Sequence, residues 1–207
     1  FVAAPILPPI IINEVSWGGS QGLIKDQWIE LKNLSANPID LSHMTLVALD
    51  GGTQYIPLIG TISSRNQNIS PYSGFFLVEH NTTFIPISQT FGLTDADQGV
   101  AFDLFAQSGE QLALKYFDGV STTTLDTTPP ISACNGWCGG QAIGPTGGFL
   151  AVNAQSLREQ AISMERINPN ASGALASNWA SNDTYTNYAF GMFPVLGTPA
   201  MENSAHL

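Results

Sequence analysis

Apolar residues alternate with polar ones in a series of short runs, each closed by turn residues. Trp28-Ile29-Glu30-Leu31-Lys32 places Ile29 and Leu31 on one face and Trp28, Glu30 and Lys32 on the other, as a half-buried strand does. Gln111-Leu112-Ala113-Leu114-Lys115 repeats the pattern. The predicted strands are Ile10 to Trp17, Gln27 to Lys32, Met44 to Leu49, Gly74 to Glu79, Gly99 to Phe105, Gln111 to Phe117, Gly148 to Val152 and Ile162 to Ile167. Asn37-Pro38, Asp50-Gly51-Gly52, Ser73-Gly74, Ser108-Gly109 and Asp118-Gly119 supply the turns between them. Helical spacing occurs only over Asn153 to Glu165, through Ala154, Leu157 and Ala161, which predicts one short helix. Between Val120 and Gly148 the chain turns rich in Thr, Pro, Gly and Cys and reads as a long loop. The expectation is an all-β antiparallel sandwich or barrel without internal repeats. An apolar extended segment over 1–10 leads into one domain over 11–204.

Composition narrows the function classes. Charged residues are 11% of the 207, against roughly 25% in an average soluble domain. Six Lys and Arg against sixteen Asp and Glu give a net charge of -10, which repels phosphate backbones and makes nucleic acid a poor partner. No uninterrupted apolar run reaches the roughly 18 residues of a membrane-spanning helix, so no membrane-spanning segment is expected.

The two cysteines, Cys134 and Cys138, share a glycine-rich loop able to close a small ring, which predicts a local disulfide. His43, His80 and His206 lie too far off in sequence to complete a zinc set with them. A disulfide implies an oxidising space, so the expected location is extracellular or at the cell surface. Phe1-Val2-Ala3-Ala4-Pro5 reads either as the stub of a cleaved secretory signal or as a boundary without that meaning. Asn-x-Ser/Thr triplets at Asn33, Asn68, Asn81, Asn170 and Asn182 carry little weight in a chain this rich in polar residues.

A family resemblance rests on ordered motifs. Ile12-Asn13-Glu14-Val15, Asp26-Gln27-Trp28-Ile29-Glu30-Leu31-Lys32-Asn33 and Ile39-Asp40-Leu41-Ser42 come first. Gly74-Phe75-Phe76-Leu77-Val78-Glu79, Ser108-Gly109-Glu110-Gln111-Leu112-Ala113-Leu114 and Asp118-Gly119 follow. Ser163-Met164-Glu165-Arg166, Ser177-Asn178-Trp179 and Gly197-Thr198-Pro199 complete the set. Over roughly residues 11 to 204 the chain resembles lamin-tail domains of the bacterial, secreted or surface type. It departs from them at His43-Met44, where Gly-Trp is common, and in stretches 50 to 72 and 120 to 160, which look like insertions. The resemblance implies an Ig-like β-sandwich with long loop insertions, used as a non-catalytic module, and it transfers no catalytic residues.

Each chemical motif has a plainer reading beside it. Gly18-Gly19-Ser20-Gln21-Gly22 fits a nucleophile elbow, but no helix follows it, and a hairpin loop is the better reading. Asp40-Leu41-Ser42-His43 holds triad residue types inside one tight turn, where they cannot form a relay. Asp95, Asp97 and Asp103 resemble the start of a calcium loop without its remaining ligands, leaving calcium the one candidate ion and no cofactor implied. Glu14 and Glu30 can in principle serve as acid and base, but the structural reading pairs one of them with Arg166 or with nearby amides. Trp17, Trp137 and Trp179 are candidates for sugar stacking; Trp137, between the cysteines, is the surface-contact candidate.

The uncharged leader Phe1-Val2-Ala3-Ala4-Pro5-Ile6-Leu7-Pro8-Pro9 and the later stretch Phe190 to Leu196 are both apolar. Self-association through Phe1, Val2, Ile6, Leu7, Phe193, Val195 and Leu196 is therefore expected, giving a homo-oligomer or polymer. The leading expectation is a non-catalytic extracellular structural protein that forms a surface layer or filament. The alternative is a monomeric adhesion module binding glycan, another cell-surface component or calcium; a Ser20 hydrolase is a remote third.

Overall fold

The computed structural model describes residues 7–19, 27–50, 52–65, 73–80, 98–103, 105–142, 161–183 and 195–205. In chain order the strands are β1 (Ile10–Ser16), β2 (Trp28–Asn33), β3 (Ile39–Asp40), β4 (Met44–Ala48), β5 (Tyr55–Pro57), β6 (Thr61–Ile62) and β7 (Phe75–His80). They continue as β8 (Gln98–Val100), β9 (Leu112–Phe117), β10 (Thr122–Thr127), β11 (Ala161–Ile162), β12 (Met164–Arg166), β13 (Trp179–Ser181) and β14 (Val195–Leu196). A four-residue helix, α1 (Ile131–Cys134), and a 3-10 turn at Ala176–Asn178 interrupt them.

Two sheets face each other as a β-sandwich. The larger has the order β13-β12-β1-β2-β7-β8 and the smaller β10-β9-β4-β5. Ile10, Ile12 and Val15 of β1, Ile29 and Leu31 of β2, and Phe76 and Val78 of β7 meet Met44, Leu46, Ile56, Leu112 and Leu114 from the smaller sheet. Each such side chain contributes roughly 1.5–3 kcal/mol on full burial, so this seam holds the sheets together. A bulge between Ile12 and Glu14 resets the alternation of β1. Ile10, Ile12 and Val15 thereby all reach the seam, while Asn13 and Glu14 both hydrogen-bond on the opposite side.

That opposite side is where the fold departs from a half-buried sheet. Every residue of β1 and β2 is buried, including Glu14, Ser16, Glu30, Lys32 and Asn33. The face of β2 read as polar and outward is covered by the segment Gly197–Ala205, whose backbone and side chains bond to it.

Other expectations change for physical reasons. In the described part of the predicted helix, Ala161–Ile162 and Met164–Arg166 are strands, and the rest of that stretch, 153–160, lies outside the described residues. Pairing overrides the helical spacing there: β11 runs parallel to β14 and β12 lies between β1 and β13. The loop expected from Val120 contains β10, a threonine-rich strand antiparallel to β9. The hairpin is set by Asp118, whose Oδ1 accepts the Val120 and Ser121 N–H groups at 2.8 and 2.7 Å. The strand expected over Gly99 to Phe105 is confined to Gln98–Val100 and pairs with β7 in parallel, so the sandwich is not purely antiparallel. Gly148 to Val152 lies outside the described residues.

The Cys134–Cys138 disulfide is formed, with 5.3 Å between Cα atoms. Its loop passes so close to the next that a Cβ on Gly109 would stand 2.6 Å from Gly136 Cα, and Gly109 has φ +108, which also favours glycine.

Candidate functional site

The most concentrated chemistry lies on the covered face of the larger sheet. In the register of β2, β1 and β12, Glu14 stands directly opposite Glu30 on one side and Glu165 on the other. Directly opposed residues keep their Cβ atoms about 5 Å apart, and like charges so placed destabilise a sheet. All three side chains are wholly inaccessible to solvent. Such an arrangement requires hydrogen-bond donors and protons in place of water.

Gly197–Ala205 supplies most of the donors. Glu14 Oε1 accepts Ser163 Oγ–H at 2.5 Å and the Thr198 N–H at 2.9 Å. Glu165 Oε1 accepts Asn182 Nδ2–H at 2.6 Å, while its Oε2 accepts the Ser204 N–H, the Ser204 hydroxyl and the Ala205 N–H at 2.8, 2.7 and 2.9 Å. Glu30 Oε1 accepts Asn13 Nδ2–H at 2.7 Å and its Oε2 accepts the Ala200 N–H. Gly197 makes the approach possible: a Cβ there would lie 2.9 Å from both Glu14 Oε1 and Trp28 Cζ2.

Thr198 Oγ1 lies 2.9 Å from Glu14 Oε2 and 2.7 Å from Glu165 Oε1. A hydroxyl carries one proton, so it can donate to only one of these oxygens. The other contact is a hydrogen bond only if a carboxyl group donates it. Glu14 is suited to that part: burial, then the charges of Glu165 and Glu30, push its carboxyl well above the usual carboxylate range, against the opposing bonds from Ser163 and Thr198. Burial likewise pushes Glu30 up to about 8, although the bonds from Asn13 and Ala200 and the charge of Lys32 oppose it.

Around this centre the same segment is pinned at further points. Asn203 Nδ2 donates to the carbonyls of Asn13 and Arg166 at 3.0 and 2.8 Å, and its Oδ1 accepts Asn13 Nδ2–H at 2.8 Å. Glu202 pairs with Lys32 at 2.7 Å and with Arg65. Both cations lie over the Phe75 ring. Burial, reinforced by Arg65, pulls Lys32 down to about 8.

Of the two pairings expected for Glu14 and Glu30, the one with amides holds for both. Arg166 instead meets Asp126 of β10, with Nη1 to Oδ2 at 2.5 Å. Asp126 sat in the stretch read as loop, so that partner was hidden. Trp17 and Trp179 are buried, with indole N–H groups donating to Gly139 O at 2.9 Å and Gly173 O at 2.7 Å. Trp137 is half-buried, stacked on Trp17 at 5.8 Å and edge-on to Phe105, and donates to Ala106 O.

Asp95 and Asp97 lie outside the described residues. Asp103 accepts from Thr53, and its carbonyl accepts Gln54 Nε2–H at 2.6 Å. Among the described residues no three His, Cys, Asp or Glu side chains are grouped to hold a metal ion. Ser20 is outside the described residues; Asp40 bonds the Ser42 N–H at 2.9 Å, in the turn expected for it. Phe1, Val2, Ile6 and Phe193 also lie outside, Leu7 is exposed, and Val195 and Leu196 form β14 against β11 of the same chain.

Sequence reading missed Thr198 as the partner of Glu14, Ala200 as the partner of Glu30 and Glu165 as the third carboxyl of the layer. One signal was present: Glu30 stands between Ile29 and Leu31, and Glu14 and Glu165 each have an apolar neighbour on a strand, Val15 and Met164, where a charge without a partner is costly. No protein-family model, curated protein or solved structure matches the chain.

Proposed function

We propose that the chain is a non-catalytic extracellular structural module, a lamin-tail-like sandwich of Ig type that self-associates into a layer or filament. The interior chemistry fits that role, because Glu14, Glu30 and Glu165 are sealed from solvent and engaged in holding the chain's own C-terminal segment. The disulfide and the scarcity of charge fit an oxidising exterior space.

The observation that carries the reading is an apolar row along β5. Tyr55 and Ile59 are 70% and 64% exposed, and Pro57 between them is exposed as well, while Ile56 and Leu58 turn into the core. Backbone pairing at this edge is already occupied: Gln98 Nε2 donates to Pro57 O at 2.9 Å and Gln98 Oε1 accepts the Ile59 N–H at 3.1 Å. A neighbouring copy would therefore meet the row through side chains, with its apolar leader laid across it.

Light scattering and negative-stain imaging test this on three samples: the full chain, a chain lacking 1–9, and Tyr55→Glu/Ile59→Glu. Assemblies formed by the full chain and lost in both altered chains support the proposal. A monomer in all three overturns it and turns attention to glycan and calcium titration.

A further inference from the structure

We propose that Gly197–Ala205 is a proton-controlled strap: it stays closed over β1, β2 and β12 while the carboxyl layer beneath holds its protons, and opens when those protons leave. This conformational device is independent of whether copies associate.

The geometry carries it. Three carboxyl side chains from adjacent strands are stacked in register in a layer without solvent access. Thr198 bridges two of them with a single hydroxyl proton, so the observed bonding needs a further proton on the Glu14–Glu165 pair. When that proton is lost, the Thr198 hydroxyl still donates to one carboxylate, and its other contact becomes an oxygen-to-oxygen approach without hydrogen. Water is the remedy, and among the described residues Gly197–Ala205 is the segment laid over this face. Thr198, Ala200, Ser204 and Ala205 place their N–H groups on the three carboxylates, so opening exposes all three together.

The charged surroundings do not neutralise the layer. From β2, Lys32 faces it but is already bonded to Glu202 of the strap, and Arg65 holds the same Glu202. From β12, Arg166 is committed to Asp126. From β7, Glu79 stands across from Trp28, and beyond β13 the Asp183 N–H bonds Ser204 Oγ at 3.1 Å. Among the described residues, Lys32, Arg65 and Arg166 are thus each paired with an acid other than the three of the layer.

The sign follows from linkage. In the open state Glu14 and Glu30 return to their ordinary value near 4.5, whereas closed Glu30 holds its proton to about 8. Between those values opening releases protons, so the opening constant rises about tenfold per pH unit for each proton lost, then levels off.

Amide hydrogen exchange on the full chain from pH 4 to 9, corrected for intrinsic rates, reads this directly. The strap amides of Thr198, Ala200, Ser204 and Ala205 should exchange faster than the amides of β9 at every pH, by an opening short of global unfolding, and should lose at least tenfold protection as pH rises from 5 to 8. Glu14→Gln and Glu30→Gln, separately and together, should flatten that slope. Carboxyl carbon NMR titration of Glu14 and Glu30 in the unaltered chain provides a readout that survives any folding failure of the variants. Strap protection that does not change with pH, an unchanged slope in the Gln variants, carboxyls of Glu14 and Glu30 titrating in the ordinary range, or strap amides as strongly protected as those of β9 at every pH would each overturn the proposal.

Discussion

Arg166 Nη1 lies 2.5 Å from Asp126 Oδ2, joining β12 of the larger sheet to β10 of the smaller. Both side chains are buried, and the same Asp126 oxygen accepts the Ile12 N–H at 2.9 Å near the β1 bulge. Asp126→Ala should therefore destabilise the fold by about 3–5 kcal/mol, since it leaves a buried guanidinium without its counter-charge. Urea unfolding of the two chains measures the difference; a change under about 1 kcal/mol, the size of an exposed pair, would mean that water reaches Arg166.

Global stability should fall as pH rises from about 4.5 to about 8, because Glu14 and Glu30 hold their protons in the fold and lose them on unfolding. A carboxyl raised in the folded state contributes fully below its unfolded value and loses that contribution as pH climbs to the folded one. The slope is about 1.4 kcal/mol per pH unit for each such group. Denaturant midpoints at pH 4.5, 6 and 8 test the sign, and a midpoint that rises across the series would contradict it.

Gly197→Ala should loosen the C-terminal segment. The added methyl meets Glu14 Oε1 and Trp28 Cζ2 at 2.9 Å, and overpacking of that kind costs about 1–3 kcal/mol. The expected signature is local: faster amide exchange at Thr198 and Ala200 with β9 unchanged.

Reduction of Cys134–Cys138 opens a ring whose cysteines are four positions apart, so chain entropy predicts a loss of only about 2 kcal/mol. Trp137 sits inside that ring and stacks on Trp17, so reduction should also raise acrylamide quenching of tryptophan fluorescence. A melting temperature that is the same with and without reductant would show that the stacked rings alone hold the loop.

Gln98→Ala should raise the tendency to associate. It strips the β5 edge of its side-chain cap, freeing Pro57 O and the Ile59 N–H beside the exposed apolar row. Sedimentation of the variant against the unaltered chain decides the matter, and equal profiles would mean that the edge is not adhesive.

The seam between the sheets was legible because Ile29 and Leu31 flank Glu30, and Leu112 and Leu114 flank the small Ala113 between Gln111 and Lys115, a period of two that strands produce locally. Glu30 was legible as polar but not as buried, because what covers it comes from Ala200, 170 positions away. β10 escaped notice since Thr122, Thr123 and Thr124 carry no apolar alternation; its pairing comes from the hairpin with β9. Ala161 showed helical spacing but joins β11, where the parallel partner Val195 decides the outcome. Local pattern therefore found the core, and long-range closure built the carboxyl layer.

That closure bears on how the chain is made. Glu14 and Glu30 leave the ribosome before Thr198, which completes the bonding of Glu14 and follows it by 184 positions. Until then the central strands carry uncovered acids on one face. Synthesis in chain order therefore leaves the larger sheet waiting for Gly197–Ala205, and a product ending before Gly197 lacks the N–H donors of Glu14 and Glu30 that this segment supplies.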